Sequence, residues 1–173
     1  KIMTTLVAIE NIDDIKEELF DKEFDLVISD DGTIKACIGC FACWIKNPGL
    51  CILKDSYSDT GAKLSKCDDL IIISRSYYGG YSPFVKNVLD RGISYVHPYF
   101  VIRNGQMHHK RRYKNRIGLQ VGFYGSDITE EEKATAEKLV RANSINYDGY
   151  VKDISFAKDP TEIFKSFKIA KNV

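Results

Sequence analysis

Short blocks of apolar residues recur along the chain, and the stretches between them repeat their apolar positions every three or four residues. Leu6, Val7, Ala8 and Ile9 form the first block and predict a strand over Met3 to Ile9, because a short continuous apolar run suits a buried strand. Phe24 to Ser29 (FDLVIS) predicts a second strand, ended by the turn residues Asp30-Asp31-Gly32. Leu70 to Ile73 predicts a third, an unbroken aliphatic run fit for burial on both faces of a parallel sheet. Ile117 to Phe123 and Val151 to Phe156 predict a fourth and a fifth. Helical spacing fills the gaps. Ile12, Ile15 and Leu19 follow a capping Asn11 and predict a helix to about Phe20, with Asp14 placed to complete a capping box. Asp55 to Cys67 reads as a helix with Leu64 and Cys67 on one side. Ser82 caps the next, Pro83 takes its first position, and Val85, Val88 and Leu89 form its buried face. Thr129 and Glu132 form a capping box for a helix to about Asn143, with Leu139 and Val140 inward. Pro160-Thr161 leads into a last helix containing Ile163, Phe164 and Phe167.

Five alternations of strand and helix define an α/β doubly wound parallel sheet. With five strands the expected arrangement is flavodoxin-like, in strand order 2-1-3-4-5. No linker, repeat or low-complexity stretch interrupts the pattern, so residues 1–173 are expected to form one domain. Asn104-Gly105, between Tyr99–Ile102 and the segment from Gln106, is a strong hairpin signal and predicts an inserted arm before the fourth strand.

Sheets of this kind bind ligands beyond the carboxyl ends of their strands, near the switch point between strands 1 and 3. The loop after strand 3 is Ser74-Arg75-Ser76-Tyr77-Tyr78-Gly79-Gly80-Tyr81-Ser82, and that after strand 4 begins at Gly122-Phe123-Tyr124 and continues through Gly125-Ser126-Asp127. Each mixes aromatics with glycines. Aromatic faces stack on a flat heteroaromatic ring, and glycines let backbone N–H groups approach its edges. Taken singly, either loop also reads as ordinary turn residues with tyrosines at the rim; their pairing at the switch point favours a ring site.

The balance of 25 Lys and Arg against 24 Asp and Glu gives a net charge of +1, too small a field to suggest nucleic acid or an anionic membrane as partner. No apolar run approaches the roughly 20 residues of a membrane span, and Lys1 to Glu10 carry no apolar leader core or cleavage site. A cytoplasmic setting is expected.

Four of the five cysteines, Cys37, Cys40, Cys43 and Cys51, fall in the pattern C-x2-C-x2-C-x7-C. In a chain of this size such a group points to metal, redox chemistry or unligated thiols rather than to a disulfide scaffold. An iron–sulfur cluster takes four thiolates, and this spacing lets one tight loop wrap three of its corners. Gly39 relieves crowding in that wrap, and Pro48-Gly49 turns the chain back toward Cys51. Zinc is the alternative metal, although structural zinc usually uses two separated pairs. Spacing does not choose among cluster, zinc and free thiols. Cys67 reads as packing, and Trp44 as core, interface or shield.

From Met107 to Arg116 the chain holds five Lys or Arg residues with His108 and His109. The run suits a clamp for phosphates of NAD(P)H or another anion, and equally a solvated strand paired with acidic surface. Only Tyr113 interleaves an aromatic, so nucleic-acid binding is disfavoured. Adjacent histidines on a strand face opposite ways, so His108 and His109 are not assigned as ligands. No side chain stands out as an acid–base catalyst.

Two segments carry a family resemblance. CIGCFACWIKNPGLCILKD (Cys37 to Asp55) resembles the cysteine-rich segment of the NADPH-dependent FMN reductase group, especially its iron–sulfur flavoprotein branch. DDLIIISRSYYGGYSPFVKNVLDR (Asp68 to Arg91) resembles that group's third strand, flavin-ring loop and following helix. The resemblance implies an FMN-dependent oxidoreductase that takes electrons from NAD(P)H and passes them to a quinone, flavin or similar small acceptor, as a homo-oligomer. It implies that Tyr77, Tyr78, Gly79 and Gly80 border the FMN ring and ribityl chain, with Gly122, Phe123 and Tyr124 bordering it from the next loop; Arg75 and Ser76, at the start of the first loop, complete the candidate cofactor-binding residues. It also implies a [4Fe–4S] relay on Cys37, Cys40, Cys43 and Cys51, although relatives with a similar segment include plain flavin reductases. Two features depart from the group. Its phosphate-holding loop after strand 1 is replaced by Glu10-Asn11-Ile12-Asp13-Asp14, and Arg75 stands where Pro is usual. The carboxylates would repel a phosphate, and an arginine would partly restore anion binding. The contrasting expectation is a binding or assembly module that has lost FMN along with that loop.

Overall fold

The computed structural model describes residues 4–15 and 24–167. Strands β1 (Thr5–Ile9), β2 (Leu26–Ser29), β3 (Asp69–Arg75), β6 (Gly118–Tyr124) and β7 (Tyr150–Ala157) form one parallel sheet in the order β2-β1-β3-β6-β7. Counted along the sheet-forming strands alone, this is the expected 2-1-3-4-5. The register pairs Val7 with both Val27 and Ile71, and Ile72 with Val121. The separate antiparallel pair β4 (Val96–Arg103) and β5 (Gln106–Arg111) is the expected arm. Asn104 at φ 51° and Gly105 at φ 74° make its turn, the double positive-φ geometry that an Asn-Gly pair favours.

Alternation along the central strands sends side chains to two cores. Leu6, Ala8, Leu70, Ile72, Leu119, Val121 and Phe123 face one side with α2 (Thr60–Leu64), α3 (Pro83–Arg91) and α4 (Glu130–Asn146). Val7, Ile9, Ile71 and Ile73 face the other, against Ile15 and α5 (Pro160–Ser166) with Ile163, Phe164 and Phe167. Both caps read from the sequence are formed. Ser82 Oγ accepts from Val85 N–H at 3.2 Å. Thr129 Oγ1 accepts from Glu132 N–H, while the Glu132 carboxylate accepts from Thr129 N–H.

Two helices differ from expectation. Ile12 to Ile15 make a tight helical turn; the rest of the helix expected to Phe20 lies outside the described residues. The helix expected over Asp55–Cys67 is confined to Thr60–Leu64. Its first residues have stronger partners elsewhere: Tyr57 donates its hydroxyl to the Ser29 carbonyl at 2.7 Å, and Asp55 pairs with Arg91. Side-chain bonds of this kind compete with helix formation. The segment ahead of it holds the short helix α1 (Ala42–Ile45). Strand β3 runs on to Arg75, which still pairs with Tyr124 of β6, and the Arg75 N–H donates to Glu10 Oε1 at 2.9 Å.

Candidate functional site

The carboxyl edge of the sheet gathers the ends of β1, β3 and β6. After β3, Tyr77 and Gly80 exchange backbone hydrogen bonds of 3.0 and 2.8 Å, closing a two-residue turn with Tyr78 at φ 53° and Gly79 at φ 79°. Gly79 is obligatory here twice over. Its φ is left-handed, and a Cβ would stand 2.5 Å from the Glu132 carbonyl oxygen. The turn is thereby seated on the first turn of α4, leaving Tyr78 almost wholly in solvent at 88% exposure and Tyr77 at 46%. Between this turn and the loop after β6 lies a cavity of about 340 Å³, lined by Arg75, Ser76, Tyr77 and Tyr78 on one side and Gly125, Ser126, Asp127 and Ile128 on the other, with Glu132. Ser76 Oγ is buried there with no hydrogen-bond partner.

The nine expected cofactor-binding residues do not share one surface. Arg75, Ser76, Tyr77 and Tyr78 line the cavity, and Gly79 and Gly80 build its turn. Gly122 and Phe123 are a correction: both lie inside β6. A Cβ on Gly122 would come within 2.0 Å of Ile163 Cγ2. Phe123 is fully buried, stacked between Tyr81 at 5.4 Å and Phe156 at 5.9 Å. The apolar run that marks a central strand extends through them, and the loop begins only after Tyr124. Tyr124 itself turns toward β1, where burial first, then the Glu10 and Asp14 carboxylates, hold its phenol above the ordinary range.

At the end of β1 three backbone donors placed to meet a phosphate are engaged by the protein. Ile12 N–H bonds Ser29 Oγ at 3.1 Å, Asp13 N–H bonds Asn11 Oδ1 at 3.1 Å, and Asp14 N–H bonds the Asn11 carbonyl at 3.2 Å. Glu10 adds a carboxylate at the switch point. The ring side of this edge carries the aromatic faces and free hydroxyl that suit a flat heterocycle, and the phosphate side carries a carboxylate and bonded N–H groups.

A second cavity, about 600 Å³, lies between the cysteine segment, the arm and the ends of α3 and α4. Cys37, Cys40, Cys43 and Cys51 all line it, together with Phe41, Phe100, Met107 and Tyr147. Phe41 at φ 56° and Gly39 at φ 64° curl the chain into α1. Trp44 anchors the arm: its indole N–H donates to the Val96 carbonyl at 3.0 Å, and its ring lies between Phe41 and His109. Burial chiefly, and then the neighbouring cysteines 51, 37 and 40, push the Cys43 thiol up. No group of three or more His, Cys, Asp or Glu among the described residues is arranged to hold a metal ion. The four thiols on one cavity match the number and softness of iron–sulfur ligands. His108 and His109 both line this cavity. The basic run is partly neutralised, since Arg111 forks onto Asp148 at 2.9 and 2.7 Å and Arg103 lies 3.7 Å from it.

One buried cation holds the cysteine segment. Arg91 Nη1 donates to Asp55 Oδ2 (2.7 Å) and the Lys35 carbonyl (2.8 Å), and Nη2 donates to Asp55 Oδ1 (2.7 Å) and the Leu53 carbonyl (3.3 Å). Arg91 thus ties the chain on both sides of Cys37–Cys51. The Asp55 carboxyl is held below the usual range by that hydrogen bonding. The signal was present in the sequence: Arg91 continues the three-residue spacing of Val85 and Val88 onto the buried face of α3.

The strand order and carboxyl-edge cavity define the class as a flavodoxin-like α/β protein. No known family model matches the chain. Within that class its sequence is similar to the iron–sulfur flavoproteins: over 88 residues, 51% of this chain, it is 34% identical to one from Methanocaldococcus jannaschii. The chain spans only 44% of that relative's length. Among solved structures, an FMN-dependent NADH-azoreductase from Bacillus anthracis in complex with FMN superposes with a TM-score of 0.50 at 12% identity, covering 95% of this chain and 93% of that one. An azoreductase from the same species gives 0.52 at 9% identity, covering 95% and 90%. At those identities the likeness is one of fold.

Proposed function

We propose that the protein is a flavin-dependent oxidoreductase that moves electrons from NAD(P)H to a small acceptor such as a quinone or flavin. The observation that carries this reading is the aromatic and glycine-built cavity between the β3 and β6 loops, at the sheet edge where such folds bind their ligands. The similarity to an iron–sulfur flavoprotein supports it. A bound flavin would supply hydride acceptance and stepwise electron release. The chain's part is to hold and shield the ring. Tyr77 and Tyr78 offer aromatic faces, Ser76 Oγ offers an unpartnered hydroxyl, and the Tyr77–Gly80 turn is fixed against α4 by Gly79. Cys37, Cys40, Cys43 and Cys51 are the residues that would hold a [4Fe–4S] relay, and Arg91 fixes the segment bearing them. The apolar residues Ile38, Phe41, Ile45, Phe100, Ile102 and Met107, each more than half exposed, support homo-oligomerisation through this region. Among the described residues no helix is long and apolar enough to cross a membrane.

A second reading, a binding or assembly module without FMN, is favoured by the Glu10 carboxylate and the engaged N–H groups beside it. The visible spectrum of protein purified without air and reconstituted with flavin, iron and sulfide separates the two. Flavin bands are expected, with a broad brown absorption if the cysteines hold a cluster. A colourless, correctly folded sample would overturn the oxidoreductase reading.

A further inference from the structure

We infer that the flavin taken at the carboxyl edge is unphosphorylated: riboflavin, or an isoalloxazine with a neutral side chain, in preference to FMN. The inference rests on the flavin reading above and specifies its ligand. A phosphate at this switch point needs free backbone N–H groups where the first strand gives way to a helix. Here the N–H groups of Ile12, Asp13 and Asp14 are bonded to Ser29 Oγ, Asn11 Oδ1 and the Asn11 carbonyl. The Glu10 carbonyl is also fixed, accepting from Asp30 N–H at 2.9 Å.

Charge acts in the same direction. Glu10 is tethered at the end of β1 by Arg75 N–H, so its carboxylate stays there. It and Asp14 are close enough to Tyr124 to disfavour the phenolate; the same pair would disfavour a phosphate dianion more strongly, since repulsion scales with the product of charges. The compensating cation is the exposed Arg75 side chain, which lines the ring cavity. An exposed guanidinium in water offsets little of a repulsion fixed by tethered groups.

The ring side keeps what a neutral flavin needs. The cavity of about 340 Å³ has tyrosine faces and an unpartnered serine hydroxyl, and none of it depends on a phosphate.

Parallel fluorescence titrations of the wild-type chain and Glu10→Gln with riboflavin and with FMN, at low and moderate salt, test this. Riboflavin is expected to bind the wild type at least tenfold more tightly than FMN, with the gap narrowing as salt rises. Glu10→Gln keeps an acceptor for Arg75 N–H but removes the charge, and is expected to reduce the gap severalfold by improving FMN. Equal or tighter binding of FMN by the wild type would overturn the inference while leaving the flavin reading intact. A gap unchanged in Glu10→Gln would equally overturn it. Failure of both flavins to bind a chain that keeps its native circular dichroism would overturn the flavin reading and the inference together.

Discussion

Replacing Arg91 by Met should destabilise the fold more than any surface change, and should loosen the cysteine segment in particular. Both partners of the ion pair are out of solvent, with side-chain exposures of 0% for Arg91 and 1% for Asp55. Met fills much of the space but leaves the Asp55 carboxylate buried without its cation, and leaves the Lys35 and Leu53 carbonyls without donors. Breaking one side of a buried pair costs about 3–5 kcal/mol, against a total stability of roughly 5–15 kcal/mol for a domain. At about 2–4 °C per kcal/mol for a chain of this size, Tm should fall by roughly 6–20 °C. Replacing both partners, in Arg91→Met with Asp55→Leu, should recover much of that loss, because a packed apolar pair needs no desolvation of charge. The pH dependence has a definite sign. Asp55 titrates lower in the folded chain than its ordinary value, so its contribution is complete above the unfolded value of about 4 and disappears as pH falls through the folded one. Asp55→Asn should flatten that part of the acid limb. Thermal melts from pH 3 to pH 7, with thiol-labelling rates at Cys43 and Cys51, provide the measurements. A drop in Tm below about 3 °C in Arg91→Met, with unchanged labelling, would refute the assignment of Arg91 as the anchor of this segment.

Gly79→Ala should abolish flavin binding, because a Cβ at φ 79° meets the Glu132 carbonyl and the Tyr77–Gly80 turn must move; unchanged titration curves would count against the β3 turn as the ring site. Gly122→Ala should cost about 1–3 kcal/mol through overpacking against Ile163, seen as a shift in the denaturation midpoint. Thr129→Ala should cost about 1 kcal/mol by removing the α4 capping box. Iodoacetamide at pH 8 should label the exposed Cys37 and Cys40 first and Cys43 more slowly. It should spare Cys67 until the chain unfolds, since burial pushes that thiol up to about 12.

Features controlled by near neighbours were legible in the chain itself. The five apolar runs, the Ser82 and Thr129 caps and the Asn104-Gly105 turn each depend on residues a few positions apart, and alternation of five strands with helices leaves few topologies open. The remaining features depend on contacts between distant positions. Glu10 meets Arg75 across 65 residues and thereby closes the phosphate side of the switch point. Arg91 meets Asp55 across 36 and gathers the cysteine segment over the arm. Gly122 and Phe123 sit in the core because Ile163 and Phe156 arrive from later elements to cover them. Periodicity shows which residues turn inward, but not which partner from another element each will meet there.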